Sequence, residues 1–170
     1  MKLLLPLFLL LCSTAYTQKL TIKKEIDKMD DSEHYAASRS LKLISPTKKW
    51  LTVDPILAKN DSNKIECTGL YITYSGIGAC NENDVMDILF IDGKKIKIKA
   101  YNEFHCNNSS AFFVDKANSL GETLTDISIL NKPIKSIRFM NGKTFDNLTV
   151  NVPLKDQNYF MELQSALSKQ

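Results

Sequence analysis

The segment VMDILFI-DG-KKIKIKA, residues 85–100, constrains the fold more than any other part of the chain. Two strand-like runs flank Asp92-Gly93. This dipeptide favours a tight hairpin because the turn needs positive φ, which glycine adopts without steric cost. We therefore predict an antiparallel hairpin with a two-residue turn at Asp92 and Gly93.

The second arm of this hairpin has two different faces. Ile96, Ile98 and Ala100 alternate with three lysines, Lys95, Lys97 and Lys99. The lysines form either a strip that binds an anionic ligand or a solvated face, and lysine also protects an edge strand from pairing with other chains. We favour the solvated or edge-protecting interpretation.

Two cysteines, Cys80 and Cys106, lie just beyond the open end of the hairpin. With Cys67 they are the three cysteines that follow residue 18, so three pairings are possible. The hairpin brings Cys80 and Cys106 close in space, and we predict that they form a disulfide. Closing a loop of about 27 residues would contribute about 3–4 kcal/mol. Cys67 lies on a strand and is then expected to be a buried free thiol.

His105, beside Cys106, raises two other interpretations. A metal site needs three or four converging ligands, and the available set is Cys80, Cys106, His105 and His34. Adjacent residues of an extended chain point to opposite faces, which disfavours such a site. A cysteine nucleophile needs a base in hydrogen-bonding reach and a third group that orients the base, and sequence neighbours rarely achieve this. We predict no metal, no cofactor and no catalytic residue here.

The first residues, MKLLLPLFLLLCSTAYTQ, have the layout of a secretory signal peptide, with one lysine, an apolar run and then small polar residues. The apolar run is shorter than the roughly 20 residues that cross a bilayer. We predict that residues 1–18 are a leader cleaved near 15–18. The mature protein is then secreted or periplasmic, without a transmembrane segment. A lipoprotein is less favoured, because Leu11 precedes Cys12 where a small residue is usual.

The charge and length of the mature chain restrict its partners and its domain count. The chain has 22 basic and 19 acidic side chains, and residues 1–18 carry one lysine and no acid, so a net charge of +2 remains. Nucleic-acid-binding domains are strongly basic with clustered charge, so we predict no nucleic-acid partner. About 150 residues without a repeat or linker predict a single domain over 19–170.

The order of predicted elements indicates the fold class. Strand-like segments follow one another through hairpins and short loops, without the helical crossovers that parallel strands require. We predict a mainly β protein of the α+β class, with an antiparallel sheet folded as a sandwich or rolled sheet. A C-terminal amphipathic helix over about 156–168 has Asp156 as N-cap and its apolar side formed by Phe160, Leu163, Ala166 and Leu167.

Three local predictions complete this description. KLTIKKEI, residues 19–26, alternates as a first strand. DKMDDSEHY, residues 27–35, is a charged loop. Pro55 weakens or ends the strand in which it lies, because proline cannot donate a main-chain hydrogen bond.

The blocks C…ILFIDGKKIKI…YNEFHC, LNKPIKSIRF and YFMELQSAL together resemble small exported proteins of unassigned function from Gram-negative, AT-rich bacteria of the Bacteroidetes type. The resemblance covers roughly Tyr71 to Leu167 and consists of a pattern of strands, cysteines and a closing helix. It carries over no functional residue.

The sequence leaves three functional hypotheses. The leading one is an exported, non-catalytic domain that binds a protein or small ligand through its sheet face or loops, since functional residues of a β-rich frame usually lie on loops. The second is a small exported enzyme that uses Cys106 or carboxylates. The third is an inhibitor or immunity-like protein.

Overall fold

A computed structural model describes residues 19–78, 80–100, 104–113 and 127–170. In these residues the chain forms mostly antiparallel β-sheet and closes with one α-helix, so the predicted mainly β, α+β class is confirmed. The described residues contain no helix long and apolar enough to cross a membrane.

Twelve strands form within the described residues: β1 (Ile22–Ile26), β2 (Glu33–Ala37), β3 (Leu41–Ile44), β4 (Trp50–Lys59), β5 (Ile65–Tyr74), β6 (Cys80–Asn81), β7 (Val85–Phe90), β8 (Lys95–Lys99), β9 (His105–Cys106), β10 (Ser109–Phe113), β11 (Ile134–Met140) and β12 (Asn147–Asn151). Short 3₁₀ turns occupy Ile127–Leu130 and Leu154–Asp156, and helix α1 spans Tyr159–Leu167. The first strand is therefore shorter than predicted and begins at Ile22.

The strands form two large sheets and one small ribbon. The six-stranded sheet has the order β1-β2-β4-β5-β10, with β3 also paired to β4, and the four-stranded sheet has the order β12-β11-β7-β8. Among the described strands, β6 and β9 pair only with each other. Every pairing is antiparallel.

Both large sheets contribute to a single hydrophobic core. Leu70, Ile72 and Tyr74 of β5 are buried on one face of their strand, as their alternation predicts. The Tyr74 ring lies 4.5 Å from the ring of Phe139, centroid to centroid, and so joins the six-stranded sheet to the four-stranded sheet. Two sheets packed against each other correspond to the sandwich alternative of the prediction.

Helix α1 begins later than predicted. Its first residue is Tyr159, and Asn158 occupies the N-cap position without a side-chain hydrogen bond. Asp156 does not cap the helix. It ends a 3₁₀ turn two residues before the N-cap, and its carboxylate pairs with Arg39 at 3.2 Å. The apolar side does pack on the core, through the buried residues Tyr159, Phe160, Leu163 and Ala166.

One local prediction is wrong and another holds only in part. The charged loop predicted for residues 27–35 contains the start of β2, whose Glu33 pairs with Lys24 of β1 at 2.5 Å and with Lys59 of β4 at 2.8 Å. Charged side chains therefore line an exposed strand. Pro55 lies within β4 and does not end it. Before Pro55, β4 pairs with β3, and after it one residue, Leu57, pairs with β2. At Pro55 itself β4 pairs only with β5, so the main-chain N–H that proline lacks costs little stability.

The hairpin of β7 and β8 forms with a different turn. Val85 lies opposite Lys99 and Leu89 opposite Lys95, and a hydrogen bond between Phe90 and Lys94 closes a loop of three residues, Ile91, Asp92 and Gly93. The Phe90 N–H donates to the Lys94 carbonyl at 2.9 Å, and Gly93 has φ +85°. This is a three-residue loop with glycine in the left-handed position, and it replaces the predicted two-residue turn.

Candidate functional site

The disulfide predicted from the hairpin is present. Cys80 lies directly opposite Cys106 in the ribbon of β6 and β9, and their sulfur atoms are bonded, with Cα atoms 3.9 Å apart. The ribbon lies beyond the open end of the β7–β8 hairpin. Because this ribbon has only two residue pairs, the bond joins two chain segments that few other main-chain contacts hold together.

A buried polar network lies beside the disulfide. Asp84 is fully buried, and its carboxylate accepts hydrogen bonds from the Asn81 side-chain amide at 2.6 Å and from the Gly142 N–H at 2.9 Å. The same Asn81 amide donates to the Ser109 carbonyl at 2.6 Å. Buried polar groups are stable only when they are paired, and this pairing connects β6, β10 and the turn after β11.

Asn141 fixes that turn. Its side-chain amide donates to the Gly78 and Cys80 carbonyls at 2.9 and 3.0 Å. Its side-chain oxygen accepts from the Lys143 and Thr144 N–H groups at 2.9 and 3.0 Å. One buried side chain therefore holds the β11–β12 turn both to itself and to the main chain next to the disulfide.

The turn and the loop before β9 present two aromatic side chains to solvent. Phe145 is 74% exposed and has φ +61°, and Phe104 is 56% exposed. The Lys143 ammonium lies 5.4 Å from the Phe104 ring centroid, within the range of a cation–π contact. We call Phe104, Lys143 and Phe145 the aromatic tip.

The aromatic tip is not evident from the strand pattern. The alternation in TFDNLTVNV places Phe145 with the apolar residues of a strand, whereas β12 begins only at Asn147. A signal is present in retrospect: Phe145 stands within NGKTFDN, among residues that favour turns. An aromatic residue surrounded by turn-forming residues is a candidate for exposure.

The structure does not bring the candidate metal ligands considered from the sequence together. His105 lies within 2.9 Å of the Ser109 carbonyl oxygen through Nε2, and His34 lies in β2 beside Ser32. Across the described ranges, no group of three or more His, Cys, Asp or Glu side chains is placed to hold a metal ion. With its sulfur in the disulfide, Cys106 has no thiolate to act as a nucleophile.

Cys67 is a buried free thiol, as the sequence predicts. Its Sγ donates to the Gly69 carbonyl at 3.2 Å. Burial raises the pKa of the Cys67 thiol from its ordinary 9.0 to about 11. At neutral pH the group is therefore protonated and inaccessible, which suits a core residue and not a reactive one.

The raised pKa of Cys67 predicts a loss of stability in alkali. Above pH 9 the thiol ionises in the unfolded chain but keeps its proton in the folded chain up to about pH 11, so the unfolded state binds fewer protons and the free energy of unfolding falls as pH rises. Between pH 8 and pH 10 the wild type should lose about 1.4 kcal/mol more than Cys67→Ala. Urea titrations at both pH values measure this difference, and an equal loss in both proteins would contradict it.

Comparison with known proteins does not assign this chain to a family. No protein-family model, no curated protein and no solved structure matches this chain. The resemblance to exported Bacteroidetes-type proteins stays a prediction. The predicted signal peptide, its cleavage region and Cys12 lie outside the described residues.

Proposed function

We propose that this protein is an exported, non-catalytic domain that binds a protein partner through the aromatic tip. The observation that carries the proposal is Phe145, a large apolar side chain that is 74% exposed at a left-handed backbone position. The leader-like residues 1–18 and the disulfide support the exported setting, because disulfides persist in oxidising compartments.

Phenylalanine at position 145 does not stabilise the folded protein. A left-handed conformation costs a residue with a Cβ about 1–2 kcal/mol. Exposure of the ring also forgoes about 1.5–3 kcal/mol that burial of such a side chain would contribute. Glycine or asparagine would satisfy the same turn at lower cost, so stability does not account for phenylalanine here. Burial against a partner does account for it, since aromatic side chains are enriched at interfaces.

The main chain of the turn that carries Lys143 and Phe145 is already fixed in the free protein. Besides the Asn141 bonds, the Asn141 N–H donates to the Asp146 carbonyl and the Phe145 N–H donates to the Asn141 carbonyl, both at 2.9 Å. On the other side, the Gly78 N–H donates to the Asp146 carboxylate at 3.2 Å. A surface fixed in this way loses little conformational entropy on binding, and this raises affinity for a given contact area.

Site-specific photocrosslinking in the source cell tests the proposal. A benzophenone-bearing phenylalanine analogue at position 104 should yield a discrete adduct with a second protein. The same analogue at position 154, where Leu154 is 85% exposed and distant from the tip in sequence and fold, is the matched control and should yield none. Equal adducts from both positions, or none from position 104, would refute the proposal.

A second variant separates binding from folding. Phe145→Asn should raise the free energy of unfolding by about 1 kcal/mol, because asparagine tolerates positive φ better than phenylalanine. Introduced together with the photoreactive residue at 104, it should reduce the adduct at least tenfold. Denaturant titration checks the stability, and an undiminished adduct in a folded protein would exclude Phe145 as a contact.

The two alternatives predict different outcomes. An inhibitor or immunity-like protein also binds a partner, and it differs in that the crosslinked partner is an enzyme whose activity falls on binding. Asp84 and Asp87 are buried and already engaged, by Asn81 and Gly142 and by Arg138, so a carboxylate enzyme would have to use other, accessible acids.

A further inference from the structure

Strand β8 is an edge of the four-stranded sheet. It pairs with β7 on one side, and none of the other described strands pairs with its second side. The N–H and C=O groups of that side are a template for one more strand. In the order of this sheet β8 lies at one edge, whereas the turn of the aromatic tip joins β11 and β12 at the other edge.

The outer face beside this edge is strongly basic. Lys95, Lys97 and Lys99 are exposed, while Ile98 between them faces the core. Arg138 of β11 points to the same outer face, because it lies opposite Asp87, which itself lies opposite Lys97.

Asp87 is the only acidic residue in the paired rows of this face, and the protein already occupies it. Its side chain is 5% exposed and accepts from the Arg138 Nε at 2.8 Å and also from the Arg138 Nη2. The Lys95 ammonium lies 3.7 Å from the same carboxylate. No ion pair within the described chain engages Lys97 or Lys99. The edge therefore carries uncompensated positive charge.

The spacing of these charges suits one kind of partner. Alternate residues of a strand lie on one face, about 6.6–6.8 Å apart, and side chains on adjacent antiparallel strands lie directly opposite one another. A second copy of β8 would bring lysine against lysine. A strand with carboxylates at alternate positions would instead bring each acid against one of Lys95, Lys97 and Lys99.

We propose that the free edge of β8 binds an extended acidic segment of a partner protein by strand addition. Main-chain hydrogen bonds to β8 supply the pairing, and alternate carboxylates facing the three lysines supply the selectivity. The lysines then both prevent self-association and select an acidic strand. This would be a second binding surface, and the proposal does not depend on the aromatic tip.

Fluorescence anisotropy with a labelled heptapeptide of alternating valine and glutamate tests this edge. The wild type should bind it, and a peptide of the same composition with contiguous glutamates should bind at least tenfold more weakly. Lys97→Glu should also lower affinity at least tenfold, whereas Lys42→Glu, a change at an exposed lysine of β3, should leave it within twofold. Equal affinity for both peptides, or an equal effect of both variants, would overturn the proposal.

A charge exchange controls for misfolding. The triple variant Lys95→Glu/Lys97→Glu/Lys99→Glu should lose the glutamate peptide and gain a peptide of alternating valine and lysine. A variant that had lost its fold would bind neither peptide, and near-ultraviolet circular dichroism would report it. A triple variant that keeps its fold and still binds the glutamate peptide would overturn the proposal.

N-methylated peptides separate strand addition from simple charge attraction. The N–H groups of alternate strand residues point to opposite edges, so methylation at the valines and methylation at the glutamates block different edges. One methylated peptide should bind like the parent, and the other should bind at least tenfold more weakly. Equal binding of both methylated peptides would overturn strand addition. If a sulfated polysaccharide displaced the glutamate peptide as well as the unlabelled peptide does, the edge would be a site for polyanions and not for an added strand.

Discussion

Replacing both Cys80 and Cys106 by alanine is expected to lower the free energy of unfolding by about 3–4 kcal/mol, the chain-entropy value for a loop of this length. The bond joins residues 26 apart in sequence. Without it, the unfolded chain gains freedom, and the short β6–β9 ribbon relies on its two residue pairs alone. Urea titration of the oxidised wild type and the double variant at pH 7 measures the difference.

The disulfide prediction has two controls. The reduced wild type should unfold at the same urea concentration as the double variant, because both lack only the bond. Cys67→Ala should leave the response to reductant unchanged, since Cys67 takes no part in the bridge. A loss below about 1 kcal/mol would mean that the unfolded chain is already restricted near this loop.

Gly142→Ala is expected to destabilise the protein by about 3–5 kcal/mol, through overpacking and the loss of a hydrogen bond to a buried carboxylate. A Cβ at position 142 would lie 2.1 Å from the Glu82 carbonyl oxygen and 2.3 Å from that of Asn83. Both neighbours are main-chain atoms, so no side-chain rotation relieves the clash. The turn must move, and its N–H then leaves Asp84.

Gly93→Ala is the matched control for Gly142→Ala. Gly93 has positive φ, but nothing lies within 4 Å of a Cβ placed there. Its substitution should cost only about 1–2 kcal/mol for the left-handed backbone. Thermal and urea unfolding of both variants distinguish crowding from backbone conformation, and equal losses would contradict the close approach at Gly142.

The elements with strong local signals could be predicted from the sequence. The β7–β8 hairpin, the buried face of β5 and the apolar side of α1 all follow from periodicity, because an alternating or helical pattern of apolar residues specifies which face a core will cover. The Cys80–Cys106 pairing required only that both residues lie near the open end of one hairpin. It did not require the right register.

The register of the β7–β8 hairpin could not be predicted from the sequence, and it determines which residues share a face. With a two-residue turn Asp87 would lie opposite Ile98, whereas the three-residue loop places it opposite Lys97. One residue in a turn exchanges the two faces of a strand relative to its neighbour. This single residue places Asp87 and its partner Arg138 on the same face as the three lysines of β8.

The sequence alone therefore determined the class of fold, the disulfide and the buried thiol, since these depend on local pattern and on the proximity of hairpin ends. The tertiary structure decided the setting of the two surfaces for which we propose binding. Phe145 is exposed because Asn141, buried through long-range contacts, holds its turn, and the alternating lysines of β8 keep uncompensated charge because Arg138 of β11 occupies Asp87. Such contacts join residues far apart in the chain, and no local periodicity encodes them.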